Sequence, residues 1–221
     1  MSVGLRPRRL LARIARPGPA PEDAVRAAGD LVAGGCAVGL EVRGSDPAGV
    51  LAELAGRLDA AGLAASCEVT VRADRFVDPG PLHSAPALAL ALDGPPTDVD
   101  RIAAALPAAR VVVHAAGPEA VQRCRAFAGR RVRLVAGRGV ATGLSFVRCL
   151  NVLMAGAGEP AVATTDPRLI AVTGERAAWN GRPPQSWEHV MPWGHPTEEQ
   201  HRLLAAGHTV RVLVPVAEAW S

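Results

Sequence analysis

Residues able to hold charge or move protons recur in this 221-residue chain where short apolar runs end. Glu41 and Arg43 close the run from Cys36, Arg72 and Asp74 close CEVTV, and Asp93 closes ALALAL. His114 closes RVVV, Arg133 and Arg138 flank LVAG, Thr164, Thr165 and Asp166 close PAVA, and Glu188 with His189 follows Trp187. An arginine fork takes up carboxylate or phosphate, and a histidine near a carboxylate exchanges protons near neutral pH. Each position also has a plainer use. Asp166 before Pro167 is suited to start a helix, and Glu41 and Asp93 precede turns where water could solvate them.

Composition narrows that chemistry. The 24 basic residues are all arginine and tyrosine is absent, which removes a Schiff-base or general-base lysine, a lysine on phosphate and a tyrosine acid. The net charge is +3 with arginines scattered along the chain, so no basic stripe for nucleic acid emerges. Cys36, Cys67, Cys124 and Cys149 form no CxxC pair and read as reduced, buried thiols of a cytoplasmic protein. His189, His195, His201 and His208 match no metal-binding spacing. No apolar run reaches a membrane span. The basic segment LRPRRLLARIARPGP reads as an N-terminal helix or arm over residues 1–20, with a peripheral membrane role as the alternative.

The elements that must position these residues alternate regularly. Strands are expected at Cys36–Val42, Cys67–Arg72, Ala87–Leu92, Arg110–His114, Val132–Ala136, Pro160–Thr164, Trp187–Met191 and Thr209–Pro215. Helical periods fill Glu22–Ala33, Pro47–Ala61, Asp98–Leu106, Pro118–Ala128, Gly143–Ala155, Asp166–Trp179 and Thr197–Ala206. Eight strands interleaved with helices predict an α/β fold, a distorted and incomplete (β/α)8 barrel over residues 21–221. The connection RADRFVDPGPLHSAP lacks a helical period, and only VAEAWS follows the eighth strand, so gaps are expected in the outer ring.

Such barrels carry their sites at the C-terminal strand ends. Arg131 and Arg133 share one strand face, and a barrel interior cannot hold a bare guanidinium; a buried pair with Glu41 or Asp93 and an anionic ligand both answer this. The loop from Gly137 to Gly143 has the spacing of a phosphate-cradling turn before a helix, although GxGxxxG alone is a weak signal.

Several segments in order resemble the proline dehydrogenase family: FVRCLNVLMAGAGEPAVATTDPRLI with GERAAWNG, then SWEHVMPWGHPTEEQHRLLAAGHTVRVLVP, and before them RVVVHAAGPEAVQRCRAFAGRRVRLVAG. LVAGGCAVGLEVRGSDP and LDAAGLAASCEVTVR are similar more loosely. The resemblance implies a distorted barrel with FAD across its top, oxidation of L-proline to pyrroline-5-carboxylate, and a quinone as electron acceptor. It places Arg133, His114, Gly137, Thr164, Thr165 and Glu188 at the cofactor, and Arg72 and Asp93 at the substrate.

The carry-over is incomplete. Arg72 replaces the family's strand-two lysine, His114 its strand-four glutamine, Ala136 its strand-five lysine and Thr165 its strand-six histidine. The family's eighth helix, whose tyrosine and paired arginines clamp the substrate carboxylate, has no counterpart before Ser221. Two readings follow: a shortened FAD-linked proline dehydrogenase, or a catalytically inactive relative (a pseudoenzyme) that binds a ligand or partner.

Overall fold

The computed structural model describes residues 18–83, 88–137, 139–194 and 197–217. Arg138, His195 and the first 17 residues of the expected N-terminal arm lie outside them. The chain runs α1 (Pro21–Ala33), β1 (Ala37–Val42), α2 (Pro47–Ala60), β2 (Cys67–Arg72), a four-residue α3 (Gly80–His83), β3 (Ala89–Asp93), α4 (Pro96–Ala105) and β4 (Arg110–His114). It continues through α5 (Ala120–Phe127), β5 (Arg131–Val135), α6 (Val140–Ala155), β6 (Glu159–Ala163), α7 (Pro167–Trp179), β7 (Glu188–Pro192), α8 (Thr197–Ala205) and β8 (Thr209–Val216). All neighbouring strands are parallel and β8 pairs with β1, so the sheet closes into a barrel.

Local sequence explains the helix starts. Asp46 accepts a hydrogen bond from the Gly49 amide at 2.9 Å, Asp166 accepts one from Arg168 at 2.9 Å, and proline follows each cap. Among the described residues, only short helical turns lie between β2 and β3, as expected. After β8 no helix follows among the described residues, as expected; helix α1 packs on both β1 and β8 and buries Pro21, Ala24 and Ala28.

Outward strand positions are apolar: Val38 and Leu40 on β1, Val69 and Val71 on β2, Val111 and Val113 on β4, and Val132 and Leu134 on β5 are all buried under the helices. The polar residues alternate with them and therefore face inward. The strand registers stack these side chains in layers contributed by alternate strands. From the N-terminal end they are Ala37, Ala89, Arg131 and Glu188; then Glu68, Arg110, Ala161 and Arg211; then Gly39, Ala91, Arg133 and Val190; then Thr70, Val112, Ala163 and Leu213. Glu41, Asp93, Val135 and Pro192 form the mouth, rimmed by Arg72, His114, Thr165 and Pro215. At Gly39 the end of the Leu213 side chain packs into the space a Cβ would take.

Candidate functional site: a charged barrel floor and a divided mouth

The lower layers hold a continuous ion-pair network. Glu68 accepts from Arg110 Nε at 2.8 Å, from Arg131 Nη2 at 3.0 Å and from Arg133 Nη2. Glu188 takes the forked guanidinium of Arg211 at 2.9 and 3.0 Å, and Arg110 Nη2 at 2.9 Å. Arg211 also donates to the Val38 carbonyl at 2.7 Å, and Arg133 to the Thr70 hydroxyl at 3.0 Å. Burial opposes ionisation of Glu68, but Arg110, Arg133 and Arg211 outweigh it and bring its pKa to about 2. The expected partner of Arg133 was Glu41 or Asp93. The structure supplies Glu68 instead, from β2, three strands away across the floor.

Glu188 is likewise corrected. It opens β7 rather than ending it, so it belongs to the barrel floor, and the mouth is reached only at Pro192 and Trp193. A shallow cleft of about 250 Å³ lies outside this floor, bordered by Arg110, Glu159, Arg182 and Glu188. The guanidiniums of Arg110 and Arg182 are already spent on protein acceptors.

At the opposite end, the arc from β1 to β4 carries three cation–carboxylate pairs. Arg43 donates to Glu41 at 3.0 Å, Arg72 grips Asp74 with two bonds at 2.9 and 3.2 Å, and His114 Nε2 meets Asp93 Oδ1 at 2.8 Å. Arg72 and His114 side chains are 50% and 51% exposed, so both pairs open to solvent. Asp93 raises the pKa of His114 above the ordinary histidine value, against the opposing effect of burial. Burial works against the Asp93 carboxylate, yet the His114 hydrogen bond, the Gly94 amide and Arg72 keep its pKa below the usual value.

The arc from β5 to β8 is different. Val135, Pro192 and Pro215 face inward there, interrupted by exposed Thr165, and the 47% exposed Trp193 follows Pro192 in the turn after β7. Thr164 is buried, and its hydroxyl accepts from the Asp166 amide at 3.2 Å. Gly137 is packed against Thr142, whose methyl group occupies the place of a Cβ. The mouth thus brings together Glu41, Arg72, Asp93, His114 and Thr165, and leaves Arg133 and Glu188 beneath it. Sequence reasoning missed Glu68, Arg110 and Arg211. Their period-two placement in otherwise apolar strands was the available signal.

Among the described residues, no group of three or more histidine, cysteine, aspartate or glutamate side chains could hold a metal, and no helix is long and apolar enough to cross a membrane. No family model matches the sequence, and no curated protein is significantly similar to it. Solved structures do match. Proline utilization A (PutA) from Bdellovibrio bacteriovorus, inactivated by N-propargylglycine, superposes with a TM-score of 0.74 at 14% identity, covering 95% of this chain and 31% of that one. PutA from Corynebacterium freiburgense gives a TM-score of 0.70 at 15% identity over 96% of this chain and 30% of that one. A PutA mutant from Bradyrhizobium japonicum gives 0.64 at 18% identity over 82% and 26%.

The fold is therefore a proline dehydrogenase-like (β/α)8 barrel. The chain spans less than a third of the length of the PutA chains it matches. At these identities the likeness establishes the fold, and activity has to be argued from the site.

Proposed function

We propose that the barrel binds a small proline-like zwitterion at its mouth and does not oxidise it through FAD. The observation that carries this reading is the division of the mouth. Arg72, half-exposed and keeping Nη1 beyond its two bonds to Asp74, can meet a carboxylate, Glu41 and Asp93 can meet an ammonium group, and Val135 with Pro192 and Pro215 offers an apolar wall for a ring. The similarity to PutA barrels makes proline the first ligand to consider.

FAD is what the resemblance implies for the same mouth, but the residues present do not fit it. Arg133, the arginine expected against the flavin, is 1% exposed and engaged by Glu68 and Thr70 beneath a further layer of side chains. The Thr164 hydroxyl is buried in the turn, and Glu188 lies on the barrel floor paired with Arg211. No lysine or tyrosine is available to replace these contacts. A quinone acceptor has no role in this reading. An FAD-linked oxidation of proline remains the alternative, favoured by the fold match alone.

Isothermal titration of L-proline into the purified protein tests the binding. A saturable signal is expected, weakened about tenfold or more by Arg72→Gln, since a charge-assisted bond contributes about 1.5–3 kcal/mol. Absence of any heat with proline and its analogues at millimolar concentration would remove the reading.

A further inference from the structure

Three ring nitrogens in one place have no hydrogen-bond partner: Trp187 Nε1, His189 Nδ1 and His208 Nδ1. All three are shielded from solvent, and His189 as a residue is only 2% exposed. The rings touch one another, with centroids 4.6 Å apart for Trp187 and His189 and 5.4 Å for both remaining pairs. Buried polar atoms are almost always paired, so this cluster is held at a cost that the surrounding packing must offset.

The packing there is thin. Beside the rings, Ile170 of α7, Met191 of β7, Leu203 of α8 and Val210 of β8 form a small apolar cluster separate from the main core. Helix α8 is only nine residues long, and a satellite cluster of this size can open without global unfolding. We propose that the α8 sector, from Thr197 to the start of β8, is an acid-responsive element that opens when His189 takes up a proton.

The electrostatics around His189 are specific. Burial is the largest influence and, with the charge His208 would carry, lowers its pKa from the ordinary 6.5 to about 4. Helix α8 contributes Glu199, which favours the proton, and Arg202, which disfavours it. These two are bonded to each other at 2.8 and 2.6 Å, so they largely cancel. The apolar side chains of α7 and β7 supply no compensating charge. Protonation thus puts an unpaired cation among Trp187, His208 and the satellite cluster, and opening lets water solvate it.

The sign is fixed by the direction of the shift. With the closed-state value depressed, closure is fully supported above about pH 6.5 and loses support as pH falls towards 4. The open fraction should rise about tenfold per pH unit across that window. Hydrogen exchange of the full chain, read by mass spectrometry over residues 197–210 between pH 4.5 and 7 and corrected for intrinsic exchange, measures it. His189→Phe keeps a ring without a titrating group and should flatten the dependence. An unchanged dependence in that variant, or flat protection in the wild type, overturns the proposal. If the variant does not fold, imidazole titration of wild-type His189 by carbon-13 NMR decides: a pKa well below 6.5 supports the switch, and one near 6.5 overturns it.

Discussion

Glu68 accepts hydrogen bonds from three guanidiniums and has no competing role at the surface. Replacing one partner of a buried ionic network leaves the other charges unpaired, which typically costs about 3–5 kcal/mol. Glu68→Gln is therefore expected to lower unfolding free energy by about that amount in urea titrations, while Glu41→Gln at the open mouth changes it by less than about 1 kcal/mol. Because the Glu68 pKa is lowered to about 2 from 4.5, its contribution is present above about pH 4.5 and declines as pH falls towards 2. The wild type should lose stability over that acid range faster than the variant. At the mouth, Asp93→Asn removes the principal cause of the raised His114 pKa, so NMR should show His114 titrating at lower pH in the variant. His114 supports the fold below the ordinary histidine pKa, and that support fades as pH rises through its raised value.

At the level of elements, Arg182 clamps the end of α6 to the turns that lead into β6 and β7. Its guanidinium donates to the carbonyls of Met154 at 2.8 Å, Gly158 at 3.1 Å, Leu153 at 3.2 Å and Ser186 at 3.4 Å, and also to Gly156. These satisfy carbonyls that a helix end leaves without intrahelical partners. Arg182→Met should destabilise the protein by about 2–4 kcal/mol in thermal or urea unfolding, as several acceptors lose donors together. A near-neutral result would mean that water replaces the clamp fully.

Most elements were legible in the sequence because period and punctuation agreed: all eight strands and the seven expected helices stand within a few residues of their predicted positions. Asp166 caps α7 as its place before Pro167 suggested. The role of α1 was not legible, since covering β8 depends on closure between the chain's two ends. Partner choice inside the barrel was hidden for the same reason. Glu68 and Arg133 meet only after four strands, β2 to β5, have been laid side by side, and no local pattern records that register. Glu188 was placed at the cofactor by the resemblance, although the expected strand Trp187–Met191 already put it near the strand start, and β7 starts on it.

For the whole molecule, the fold and the site point in different directions. Closure of eight parallel strands and superposition on PutA barrels define the scaffold. The inner layers have been filled by arginine–glutamate pairs that leave Arg133 unexposed, and the mouth keeps paired charges facing an apolar arc. A barrel can hold its architecture through such a change because the outward apolar faces and helices carry most of the packing. The most direct test is one absorbance experiment. Protein reconstituted with excess FAD, desalted and examined anaerobically between about 350 and 500 nm, where flavins absorb, should retain no flavin band and show no change on adding L-proline. A retained flavin band that bleaches with proline would contradict the account.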